Sequence, residues 1–205
     1  MKSPGIKKIR WVLKPMVHGL SLIPFVMMVF GLINHTLGPN PAETLSHVSG
    51  EWGLRFLLIT LTVTPLVRLT KSGWITGFRR LLGLYCFFYV FVHFLIYLIL
   101  DLSLDFGFLA EDIFDRPYIT VGFLGLVILA MLAITSPISI RQKMGRDWDS
   151  LHQFIYLAGI LGIVHFLWIT KADDTEPMMY GFVFLLLIGW RLVRKIGKNT
   201  SRPLT

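Results

Sequence analysis

The chain has 205 residues, of which 54% are hydrophobic and only 16% charged, with a mean hydropathy of +0.66. An ordinary soluble domain, with about a quarter of its residues charged, is thereby excluded. The net charge of +8 is read as membrane topology, with lipid as the surroundings and no nucleic acid as a partner.

Six apolar stretches predict an all-α integral membrane bundle of six transmembrane helices. They fall at about 16–33, 53–69, 81–100, 118–136, 150–170 and 178–192, read as a single domain over 1–205. Lys2, Lys7, Lys8, Arg10 and Lys14 precede the first stretch. The run Met16 to Ile33 is longer than a signal-peptide core and lacks a small-x-small cleavage site, so a retained span is expected. A polar loop with Gly38, Pro39 and Pro41 follows, holding His35 and His47 as solvated residues. The second span carries Arg55 near its outer end. The third is dense in aromatics around His93, read as packing or lipid-facing groups, some of which would flank a porphyrin. An acidic loop (Asp101, Asp105, Glu111, Asp112, Asp115) leads to Arg116-Pro117, a helix start with proline in the first turn. Pro137 stops the fourth span, and a basic loop with Arg141, Lys143 and Arg146 follows. The fifth span holds His152 near its start and His165 near its end. A short acidic loop from Lys171 to Pro177, the sixth span and a basic tail complete the chain. The one cysteine, Cys86, excludes an intrachain disulfide, a Cys-x-x-Cys-His haem site and an iron–sulfur cluster held by this chain alone.

Of the twenty Lys and Arg residues, seventeen lie in the N-terminus, the second and fourth loops, the tail and the span ends beside them. By the positive-inside rule both termini are expected to be cytoplasmic. The third and fifth spans then run the same way, and their residues can be compared by depth. His93 precedes the boundary residue Asp101 by eight positions, and His165 precedes Lys171 by six. Both lie roughly 10 Å below the outer surface, at about 1.5 Å per residue. Equal depth on parallel helices suits two imidazoles binding one haem iron from opposite sides, an arrangement for electron transfer. His152 lies near the inner surface. Thirteen steps of about 100° put it roughly 140° from His165 around a straight helix, so the two do not share a face.

Plainer readings stand beside these. An intramembrane histidine also serves as a hydrogen-bonding group between helices. His18 is interfacial or lines a quinone or flavin pocket. Arg79 and Arg80 are positive-inside anchors, or one of them pairs with a haem propionate or reaches a ligand position. Trp148, one turn before His152, stacks on a cofactor or belongs to the interfacial aromatic belt.

Several segments together resemble the MsrQ (YedZ) family, within the ferric-reductase-like transmembrane group. They are Lys143-Met144-Gly145-Arg146-Asp147-Trp148 through Leu151-His152, Tyr156, and His165-Phe166-Leu167-Trp168. Arg79-Arg80-Leu81-Leu82-Gly83-Leu84 ahead of His93, Arg116-Pro117-Tyr118-Ile119-Thr120, Ile33-Asn34-His35 and Thr64-Pro65-Leu66 agree. The resemblance covers nearly the whole chain. It implies a bacterial inner-membrane subunit binding haem b, one or two, with FMN also described for the family. Its haem histidines fall on His93, His152 and His165. Arg79 stands where the related NADPH oxidases have an inner histidine, which puts a second bis-histidine haem in doubt. The implied partner is a periplasmic molybdopterin-containing methionine sulfoxide reductase that repairs oxidised proteins. The implied donor is quinone or a cytoplasmic flavin reductase.

The chain has no Gly-x-Gly-x-x-Gly fingerprint, no Ser/His/Asp set and no His-Glu-x-x-His, so no substrate-reducing site of its own is expected. Electrons are expected to enter near Arg79, Arg80 and His152 and leave from the His93–His165 level toward a partner on the acidic loops. The rival readings are a small transporter using the histidines as a proton relay, and a membrane anchor without a redox role.

Overall fold

A computed structural model of the chain describes residues 9–170 and 175–200, with side chains for 11–170 and 175–196. Lys2, Lys7, Lys8, the Arg10 side chain, residues 171–174 of the expected acidic loop and the end of the basic tail lie outside the described residues. The described residues form helices and the turns between them, with no strand. α1 spans Lys14–Ile33 after a π-turn at Ile9–Leu13. α2 spans Pro41–Thr70. α3 spans Thr76–Ile96 and continues as a π-turn through Asp101. α4 is Phe106–Asp115 and α5 is Pro117–Ile134. α6 (Ile138–Met144) and α7 (Arg146–Leu151) precede a 3-10 turn at His152–Phe154, which leads into α8 (Ile155–Ile169). α9 is Thr175–Thr200.

Six helical segments are long and apolar enough to cross a membrane: 11–33, 41–70, 73–101, 117–134, 146–169 and 175–196. These are the six stretches expected; five are longer than expected, and the fourth stops two residues earlier, at Ile134. The largest difference is the start of α2, twelve residues before the expected 53. Asn40 caps it, its side chain accepting from Glu43 N at 3.3 Å and donating to Glu43 Oε2 at 2.9 Å. Pro41 occupies the first turn, where its missing N–H costs nothing. The proline therefore opens the helix, and His47, expected in a solvated loop, stands on α2 as an exposed residue. His35 does lie in the turn, exposed and with φ of 53°. The acidic loop also contains a helix, α4. Asp105 caps it by accepting from Gly107 N and Phe108 N at 2.8 and 3.1 Å.

α2 packs along α3, and α5 packs along α8; these are the two broadest helix pairs. Between them lies a core of Phe56, Leu61, Tyr85, Cys86, Tyr89 and Phe166, extended by Tyr180 and Phe184 of α9. Phe56 stacks on Tyr89 with ring centroids 5.4 Å apart and on Tyr85 at 5.6 Å. Tyr85 and Tyr89, among the aromatics of the third span, are thus interior packing groups.

Two helices with interior prolines receive side chains from other helices. Pro24 interrupts α1. Beside it the Tyr89 hydroxyl donates to Ser21 O at 2.7 Å and accepts from Phe25 N at 3.1 Å. It bridges an amide and a carbonyl four residues apart. Pro65 has no N–H, so the Leu61 carbonyl loses its helical donor. Arg191 Nη2 of α9 supplies one at 2.6 Å. In a medium without water, freed backbone groups need such substitutes.

Candidate functional site

His93 of α3 and His165 of α8 face each other inside the bundle, with ring centroids 6.0 Å apart and ring planes crossed at 84°. The matched depth in the sequence therefore corresponds to real proximity. Each ring is fixed from behind by a backbone carbonyl. His93 Nδ1 lies 2.8 Å from Ser46 O, with the Ser46 and Ser49 hydroxyls at 3.4 and 3.5 Å. His165 Nδ1 lies 2.7 Å from Tyr118 O. A carbonyl only accepts, so each Nδ1 carries the proton and each Nε2 keeps its lone pair. Among the described residues, neither Nε2 has a hydrogen-bond partner.

The same local device holds both rings. The carbonyl comes from residue i of a neighbouring helix, and residue i+4 on that helix is glycine. On α2 the pair is Ser46 and Gly50; on α5 it is Tyr118 and Gly122. A Cβ at Gly122 would lie 2.7 Å from His165 Cε1 and Nδ1, and one at Gly50 would lie 3.3 Å from His93 Nδ1. The glycines open notches into which the imidazoles fit. Sequence reasoning found the histidines and missed these four partners. Only the four-residue spacing of Ser46 to Gly50 and Tyr118 to Gly122 was available as a signal, and it is weak without the fold.

The pair lines a cavity of about 430 Å³, within the range of small-molecule and cofactor sites. Its walls are chiefly apolar, including Leu57, Val90, Phe94 and Phe123. At the acidic end of the bundle Leu109 of α4 and Arg116 join the lining. Arg116 pairs with Asp112 at 3.1 Å, and Asp112 accepts from the Tyr97 hydroxyl. The adjacent Asp112 carboxylate favours the charged guanidinium, raising its pKa above the usual arginine value.

Two tests bear on whether these residues suit a haem. The first is donor chemistry: two oriented, neutral imidazoles with free Nε2 atoms are a ligand set of the haem type. The second is spacing. Imidazoles on opposite sides of one metal, at about 2 Å per bond, have centroids roughly 6 Å apart. The observed separation meets this, and the apolar walls suit a porphyrin face. The residues fit the group.

The other candidates lie at the opposite, basic end, where His152 and Trp148 meet while Arg79, Arg80 and His18 engage other partners. His152 Nε2 is 3.1 Å from Thr135 Oγ1, and its ring stacks on Trp148 at 3.8 Å. Trp148 Nε1 donates to Thr135 O at 2.8 Å, and Arg141 covers the indole at 4.4 Å. His152 is absent from the lining of the histidine-pair cavity. The 3-10 turn at His152–Phe154 advances about 120° per residue, so the straight-helix angle to His165 does not apply. Arg79 lines a second cavity, while Arg80 Nε turns to Ser136 Oγ at 3.0 Å. His18 bonds through Nδ1 to the Tyr85 hydroxyl at 2.9 Å.

Residues 49–163 match the family described as ferric reductase like transmembrane component. Curated relatives extend the match to almost the full chain. One from Xanthomonas euvesicatoria pv. vesicatoria (strain 85-10) is 41% identical over 200 residues, covering 94% of this chain and 92% of the relative. One from Xanthomonas oryzae pv. oryzae (strain MAFF 311018) is 40% identical over 197 residues, covering 93% and 90%. A third, from Azospira oryzae, is 41% identical over 186 residues, covering 90% and 80%. Each is named protein-methionine-sulfoxide reductase heme-binding subunit MsrQ. No solved structure matches the chain. The chain belongs to the MsrQ family of ferric-reductase-like transmembrane proteins.

Proposed function

We propose that the chain is the membrane electron-transfer subunit of a methionine sulfoxide reductase system, in which His93 and His165 would together hold one haem b. The carrying observation is the facing pair, 6.0 Å apart with both Nδ1 atoms committed to carbonyls. A bound haem supplies reversible one-electron chemistry, and two protein ligands leave no open position for oxygen. The chain's own residues do the rest. Ser46 O and Tyr118 O fix the tautomers, and Gly50 and Gly122 set the ring positions. The apolar walls exclude water. Arg116, the one Arg or Lys in the lining among the described residues, would be the cation available to a propionate.

The relatives' printed names support haem binding and service to a methionine sulfoxide reductase. The lysine and arginine distribution supports cytoplasmic termini, and with them a histidine pair on the periplasmic side of a bacterial inner membrane. The reductase partner, a periplasmic molybdopterin enzyme, then docks at the acidic end. The donor, quinol or a flavin reductase, acts at the basic end. We read His152, whose Nε2 meets Thr135 and whose ring stacks on Trp148, as standing apart from the haem of the His93–His165 pair.

The test is the reduced-minus-oxidised visible spectrum of purified His93→Ala and His165→Ala variants. Loss of the low-spin haem bands in both, with membrane insertion intact, is expected. Full absorbance in either variant overturns the assignment.

A further inference from the structure

The second cavity, about 350 Å³, opens at the basic end of the bundle between α2, α3, α8 and α9. Five of its lining residues are cations: Arg68, Arg79, Arg191, Arg194 and Lys195. No carboxylate is in the lining among the described residues. The charges converge from three helices, which ordinary membrane-end anchors facing outward do not do. Arg79 and Arg191 are like charges lining the same space.

Arg191 is held in place without being satisfied. One end donates to Leu61 O and the other to the Tyr156 hydroxyl. Its Nε is buried with no partner, the single such side-chain atom among the described residues. An orphaned charged donor is costly away from water, and a ligand oxygen would relieve it. Arg68 and Arg194 both lie over Trp190, at 5.5 and 5.0 Å from the ring centroid, which fixes two more guanidinium groups at the rim. Several oriented guanidinium groups favour a multi-oxygen dianion or diester over a halide, because forked donors match phosphate geometry. The neighbouring α9 residues Leu192, Val193 and Ile196 are exposed apolar groups, so the rim borders lipid as well as water.

We infer that this cavity is a phosphate-binding site, taking a phosphorylated ligand at the basic membrane surface. The ligand is either the headgroup of an anionic phospholipid entering beside α9 or a phosphate borne by a soluble molecule. The site is separate from the histidine pair and does not depend on that assignment.

The test uses the full-length, haem-loaded protein, purified in detergent and stripped of lipid. Its thermal midpoint is followed against inorganic phosphate, phosphatidylglycerol and phosphatidylcholine. The wild type is compared with the double variant Arg194→Gln/Lys195→Gln, both exposed positions. The expected result is stabilisation of the wild type by phosphatidylglycerol, by inorganic phosphate, or by both, with phosphatidylcholine giving less. In the double variant the half-saturating concentration rises at least tenfold while the haem spectrum is unchanged. Response to phosphatidylglycerol alone identifies a lipid headgroup; response to inorganic phosphate identifies a soluble source. Stabilisation by none of them, an equal response to both lipids without one to phosphate, or an unaltered response in the double variant overturns the proposal. Should the double variant lose its fold, Arg68→Gln replaces it, and native mass spectrometry of bound phosphatidylglycerol gives the same reading without a melt.

Discussion

Replacing Gly122 with alanine puts the site geometry under direct strain. The new Cβ would stand 2.7 Å from His165 Cε1 and Nδ1. An ordinary contact begins at 3.4 Å, so the ring must retreat by about 0.7 Å. The 2.7 Å bond from His165 Nδ1 to Tyr118 O then stretches to about 3.4 Å, beyond the useful range. Loss of an orienting partner behind a metal-bound histidine costs roughly 10–100-fold in affinity. The corresponding change at Gly50 meets His93 Nδ1 at 3.3 Å, a conflict that a shift of a few tenths of an ångström relieves. Its 2.8 Å bond to Ser46 O survives. Haem retention per protein, measured by pyridine haemochrome assay after detergent washing, is therefore expected to fall about 10–100-fold in Gly122→Ala and little in Gly50→Ala. Equal retention in the two variants, or wild-type retention in Gly122→Ala, would refute the notch argument.

The other predictions address the frame and the second histidine of the fifth span. Tyr89→Phe removes the hydroxyl that bridges Ser21 O and Phe25 N beside Pro24. It is expected to cost about 1 kcal/mol, read as a lower midpoint in a denaturant titration; an unchanged midpoint would show that α1 closes its own ladder. His152→Ala is expected to keep the full amplitude of the haem bands, and loss of about half of it would place a second haem at that residue. Arg116→Gln is expected to leave the axial ligands in place and shift the midpoint potential downward, because a positive charge near the propionates favours the reduced form; an unshifted redox titration would remove Arg116 from the cofactor's surroundings.

The helix count and the histidine pairing were legible because each rests on a one-dimensional quantity. Apolar length finds a span whatever its neighbours, and depth along parallel helices can be counted from a boundary residue. Asn40-Pro41-Ala42-Glu43 was also readable, since an Asn cap, an N1 proline and a glutamate at the third position open α2. Treating Pro41 as a turn residue hid that start and left His47 in a loop. Asp105 before Phe106, Leu109 and Ile113 signalled α4 in the same way. The azimuth of His152 was not legible, because a 3-10 turn at that residue breaks the uniform rotation on which the count relied. Nor were the notch glycines or the convergence of Arg68, Arg79 and Arg191. Those depend on which helix packs beside which, and apolar composition says nothing of that in lipid, where leucine faces protein and acyl chain alike.

The central claim is most directly tested by electron paramagnetic resonance of the oxidised, haem-loaded protein. Two imidazoles crossed at 84°, if both held the iron, would leave the two iron orbitals that bond to them nearly equal in energy. The predicted spectrum is accordingly low-spin and strongly anisotropic, and it disappears in His165→Ala. A high-spin spectrum, or a low-spin signal that survives that substitution, would contradict ligation by this pair.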